Sequence, residues 1–97
     1  MTVRVTCINK DGGFHENPHV AISRFGWRNP QTNEAGFSER EPMWRFVTDG
    51  GEAYVQDAAG NAAWLQARTS QHGTHYLQTV ADGKLTDNLL YLNECPI

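Results

Sequence analysis

Three strand-length runs follow one another after residue 51, and the connections between them are too short to be anything but turns. Residues 53–56, 62–69 and 74–80 carry the apolar, aromatic and threonine side chains of half-buried strands. They are separated by Asp57-Ala58-Ala59-Gly60-Asn61 and Ser70-Gln71-His72-Gly73. Connections of that length join antiparallel neighbours, whereas parallel neighbours need a crossover of a dozen or more residues. The second half of the chain is therefore expected to be a three-stranded antiparallel meander. Whatever precedes it must pack on its face or pair with its edge.

Residues 2–8 read as a strand, with Val3, Val5 and Cys7 on one face and Thr2, Arg4 and Thr6 on the other. Asp11-Gly12-Gly13 is a turn signal. Asn17-Pro18 then resembles a helix start, and Val20, Ala21, Ile22 and Phe25 supply a short apolar face before Gly26. Residues 27–37 read as an ordered loop pinned by Trp27 and Phe37 at its ends. Ser38-Glu39-Arg40-Glu41 matches a capping box, so a second helix is expected with Met43, Trp44, Phe46 and Val47 as its apolar stripe. Asp49-Gly50-Gly51 ends it. Ala81-Asp82-Gly83-Lys84 is a tight turn, and residues 86–92 suit a short helical turn or a last extended segment. The predicted class is α+β. Its antiparallel sheet has about four strands, the N-terminal strand lying on an edge of the meander, with two helices on one face.

A chain of 97 residues is one domain. Its 8 basic and 11 acidic residues give a net charge of −3, which argues against a polyanion binder held by nonspecific charge. Mean hydropathy is −0.57 and no apolar run approaches membrane length, so no membrane span is expected. The first residues, Met1-Thr2-Val3-Arg4, lack the pattern of a signal peptide, and a cytoplasmic location is expected.

The tail carries a resemblance. Tyr76-Leu77, the Asp82-Gly83 turn, Asp87-Asn88-Leu89-Leu90 and the closing Cys95 resemble the C-terminal signature of a bacterial family known only as a domain of unknown function, three-eight-nine-two. Cys7-Ile8, His15-Glu16-Asn17-Pro18-His19, Ala21-Ile22, the Gly50-Gly51 pair and Ala53-Tyr54-Val55 are similar to its longer members. Asn93 departs from the pattern, where many relatives carry proline. The resemblance implies a bacterial or phage setting and no particular activity.

The residues themselves rank several candidate sites. Cys7 and Cys95 lie at opposite ends of the chain. Without a secretion signal they are expected as free buried thiols; a disulfide and a zinc set with His15 and His19 are the alternatives. His15 and His19 flank Asn17-Pro18 and so do not share a regular helical face, and no Cys-x-x-Cys knuckle occurs. His19 in a first helical turn would favour an anion. Asp82, Asp87 and Asn88 either shape the terminal turn or form a small polar pocket. No nucleophile elbow or phosphate-binding glycine loop is present, so an enzyme is the less expected outcome and no cofactor is expected.

The aromatic residues are the surplus. Trp64 shares a strand face with Gln66 and Arg68, and Tyr54 and Tyr76 lie on neighbouring strands. An open sheet face bearing Tyr54, Trp64, Arg68 and Tyr76, or else the loop at 27–37, suits a protein partner. Stacking on a nucleic acid or nucleotide is the second reading, helped by Arg24, Arg28, Arg40 and Arg45. A simpler packing of Trp64 against Trp27 would leave no such face. Edge strands of so small a sheet could also pair across a homodimer.

Overall fold

A computed structural model describes residues 2–12, 18–57, 59–81, 83–86 and 88–95. In order the chain forms β1 (Thr2–Lys10), β2 (Ile22–Arg28), β3 (Ala35–Glu39), α1 (Arg40–Thr48), β4 (Glu52–Gln56), β5 (Ala62–Thr69), β6 (His75–Ala81), β7 (Lys84–Thr86) and a 3-10 turn (Asn88–Tyr91). The strands make one seven-stranded sheet in the order β3-β2-β1-β4-β5-β6-β7. This corrects the expected four-stranded sheet with two helices. The described residues hold one α-helix, and the sheet is mixed because β1 and β4 run parallel.

The meander stands as β4, β5 and β6, and β1 pairs with its β4 edge. The missed strands are β2, β3 and β7. Ile22 and Phe25 have the i, i+3 spacing of a helix, yet both are fully buried in a strand. The reason is a β-bulge: Asn9 pairs with Arg24 and Lys10 with Ile22, so Ser23 is an extra residue that turns a period of two into a spacing of three. Asn17, the expected helix cap, lies outside the described residues.

The expected loop 27–37 is instead the end of β2, a turn and the start of β3. Asn29 is buried, and its Oδ1 accepts the amides of Gln31 and Thr32 at 2.9 and 3.3 Å. This turns the chain back so that Trp27 faces Gly36 and Phe25 faces Ser38. Ser38 is therefore a strand residue, not a helix cap. Its hydroxyl accepts the Trp27 indole N–H at 3.1 Å, and Glu39 occupies the N-cap without a side-chain bond.

α1 leaves the β3 edge and crosses the sheet to deliver β4 on the far side of β1. Met43 is buried in the core, and the Trp44 indole N–H donates to the Arg68 carbonyl at 2.9 Å. The Trp44 ring stacks on His75 at 3.7 Å, and the Glu41 carboxylate meets His75 Nδ1 at 3.0 Å. The core joins Val3, Val5, Ile8, Phe25, Ala53, Val55, Ala63, Leu65 and Leu77 with Met43 and Leu89. Leu89, from the 3-10 turn, is fully buried.

A second bulge decides the cysteines. Val5 pairs with Trp27 and Cys7 with Gly26, so Thr6 is inserted and the face of β1 changes. Ile8 takes the core position that simple alternation assigned to Cys7, and Cys7 turns to the opposite face. There it forms a disulfide with Cys95, the Cα atoms 4.9 Å apart. The expectation of free thiols is thus overturned, and the sulfurs of the proposed zinc set are already bonded. Disulfides belong to oxidising compartments, so the step from a missing secretion signal to free thiols does not hold for this pair. No helix among the described residues is long and apolar enough to cross a membrane.

Candidate functional site

Residues paired directly across a sheet share a face, so the register places side chains without further assumption. Arg28 pairs with Arg4, Arg4 with Tyr54, Tyr54 with Trp64, Trp64 with Val80 and Val80 with Leu85. One row therefore runs from β2 to β7 on the face away from α1. It begins with two guanidinium groups and continues with two aromatic rings. The next positions along β5 and β6 add Gln66 opposite Gln78 and Arg68 opposite Tyr76. On β2 and β3 the same face carries Arg24 and Phe37.

Trp64 is 45% exposed and its ring lies 5.3 Å from that of Tyr54, inclined at 50°. Trp64 therefore packs on Tyr54, and Trp27 lies on the other side of the sheet. Arg68 is held by the Tyr76 hydroxyl and Gln66 Oε1, both at 3.3 Å. Arg24 donates to Asn9 Oδ1 at 2.9 Å and lies 4.8 Å over the Phe37 ring. Arg28 donates to Asn33 Oδ1. Arg4 donates to the Gln56 carbonyl at 3.4 Å, and its Nε is buried without a partner. These contacts are to neutral acceptors. Among the described residues no carboxylate pairs with Arg4, Arg24, Arg28 or Arg68. The guanidinium groups are thus positioned by neutral contacts, with Glu39 directly across the strand pair from Arg24 but not in an ion pair with it.

The structure gathers the predicted Tyr54, Trp64, Arg68 and Tyr76 on one face, but with unequal roles. Tyr76 is 7% exposed, its ring 6.4 Å from His19, so it supports Arg68 rather than offering a stacking surface. Of the five arginines singled out in residues 24–68, Arg24, Arg28 and Arg68 lie here. Arg40 instead donates to the Val20 carbonyl, and Arg45 is on α1. Arg4 and Phe37 were missed as site residues. Arg4 was visible as the polar alternate between Val3 and Val5; Phe37 was hidden by the loop assignment.

The other candidates do not join this face. His19 lies in a turn before β2 and is buried, so no helix N-terminus surrounds it. His15, Asp82 and Asp87 lie outside the described residues, so their expected groupings are not described. No group of three or more metal-ligating side chains occurs among the described residues. Asn88 lines a separate cleft of about 580 Å³ with Thr6, Val55, Gln56, Asp57, Tyr91, Leu92 and Asn93. The Asp57 carboxyl is held below the usual carboxylate range by hydrogen bonds from the Asn61 backbone and side chain and the Ala59 backbone.

A family described as a protein of unknown function, DUF3892, matches residues 4–93. The chain belongs to that family. No curated protein and no solved structure shows a significant match.

Proposed function

We propose that this protein is a non-enzymatic interaction module whose arginine–aromatic sheet face takes an acidic segment of a partner protein. The observation that carries the reading is the Arg28–Arg4–Tyr54–Trp64 row, with guanidinium groups fixed by neutral partners and an exposed indole beside them. Trp, Tyr and Arg are the side chains that dominate binding energy at protein interfaces. Pre-positioned arginines reduce the ordering cost of association. Their guanidinium groups, which form no ion pair among the described residues, complement carboxylates of a partner, while the net charge of −3 disfavours a long polyanion.

The test is an array of acidic peptides containing Leu and Phe, with single-stranded oligothymidine probed in parallel. The wild-type protein is expected to bind acidic peptides in preference to oligothymidine. Trp64→Ala and Arg28→Ala should each weaken peptide binding by about tenfold. Peptide binding unaffected by Trp64→Ala, or no peptide bound, overturns the proposal. Tighter, steeply salt-dependent binding of oligothymidine replaces it with the nucleic-acid reading.

A further inference from the structure

β1 and β4 pair only over Thr2–Arg4 and Glu52–Tyr54, then diverge. Beyond the divergence β1 takes a different neighbour: the Ile8 amide donates to the Asn93 carbonyl at 3.1 Å, and the Cys95 amide donates to the Ile8 carbonyl at 3.0 Å. The C-terminal segment therefore stands where β4 would have continued. Between it and the end of β4 lies the cleft lined by Thr6, Gln56, Asp57, Asn88, Tyr91 and Asn93, over apolar Val55 and Leu92. It opens at the carboxyl end of β4, beside Thr6 in the middle of β1, where the divergence of the two parallel strands leaves space for a ligand.

Its chemistry is selective. Among the described lining residues there is no lysine, arginine or histidine, although Arg4 donates to the backbone carbonyl of one of them, Gln56. The Asn88 and Asn93 side-chain amides make no hydrogen bond within the described protein, and each offers both donors and an acceptor. Gln56 spends its amide N–H on the Gly60 carbonyl and keeps its oxygen available. Asp57 is an ionised acceptor whose Oδ1 is taken by the Ala59 and Asn61 amides, while its Oδ2 accepts one bond, from the Asn61 side chain, and has room for another. Tyr91 is 81% exposed, a large ring that the fold leaves almost uncovered at the rim of the cleft. Amides, a hydroxyl and a carboxylate match a ring of hydroxyl groups, and an exposed aromatic matches the apolar C–H face of the same ring.

We propose that this cleft is a binding site for a neutral saccharide, with the sugar ring packed on Tyr91 and its hydroxyl groups bonded to Asn88, Asn93 and Asp57. The site is separate from the arginine–aromatic face, and neither reading depends on the other. Saturation-transfer NMR with the methyl glycosides of glucose, galactose and mannose, and with N-acetylglucosamine and its dimer, tests it. Transfer to at least one of these sugars is expected for the wild-type protein. Tyr91→Ala should weaken binding by about tenfold, and Tyr91→Phe should retain it, because the ring face does the packing. Tyr91 is exposed, so neither change threatens the fold. Absence of transfer to every sugar, or transfer unchanged in Tyr91→Ala, overturns the proposal.

Discussion

Reducing the Cys7–Cys95 disulfide removes a cross-link between residues 88 apart in sequence. Its magnitude follows from loop length. In the chain-entropy model, closing a loop of that size restricts the unfolded chain by about 4.6 kcal/mol at room temperature. Domains near this length lose roughly 4–8 °C of Tm per kcal/mol, so reduction should lower Tm by about 20 °C. The folded tail keeps contacts that do not depend on the bridge, including the Ile8 and Cys95 amide bonds and the Asn9 side chain on the Cys95 carbonyl at 3.2 Å. The loss should therefore appear in global stability, with the reduced protein still folded at low temperature. Thermal unfolding followed by circular dichroism, with and without a phosphine reductant, measures it. A fall of less than about 5 °C would refute the reasoning, because it would mean the unfolded chain is not restrained by the cross-link.

The bridge also makes Gly26 irreplaceable, since a Cβ there would collide with both sulfurs, Cys95 Sγ at 2.9 Å. Gly26→Ala should destabilise the oxidised protein by roughly 2–3 kcal/mol and the reduced protein by much less, read from urea midpoints in both states. Leu89→Ala, which empties a fully buried site, should cost about 2–5 kcal/mol in urea unfolding. Asp57 is ionised more readily in the folded protein than its unfolded value of 3.8 implies. Its contribution is present above that value and is lost as pH falls through the lower folded one. Asp57→Asn should therefore flatten the acid limb of the stability–pH curve; an unchanged limb would show that its turn bonds add nothing.

The meander was legible because its strands are regular and its connections short. Burial alternates over residues 53–56 and 62–66, and Asp57 and Ser70 bond their own turns. The first half was harder to read for a local reason. Ser23 and Thr6 are bulge residues, and one inserted residue shifts the phase of everything after it. At β2 that shift imitates a helix; at β1 it assigns Cys7 to the wrong face. Ser38-Glu39-Arg40-Glu41 satisfied a local helix-start pattern, but pairing of Ser38 with Phe25 and the bond from Trp27 outweighed it. Tyr54 and Trp64 were legible by alternation, whereas Phe37 and the joining of the arginines to these rings were not. Arg28 and Arg4 come together with Tyr54 only because β1 sits between β2 and β4.

Sequence by itself determined the meander of β4, β5 and β6, a helix ahead of Asp49-Gly50-Gly51, the glycine-terminated turns and the family. These depend on side-chain period and on backbone preferences that act over a few residues. Tertiary structure alone decided the parallel pairing of β1 with β4, the joining of Cys7 to Cys95, the arginine–aromatic row and the cleft beside Tyr91. Each of these joins residues far apart in the chain. Their proximity depends on strand order and register, which are settled by burial of the whole core rather than by any local run of residues.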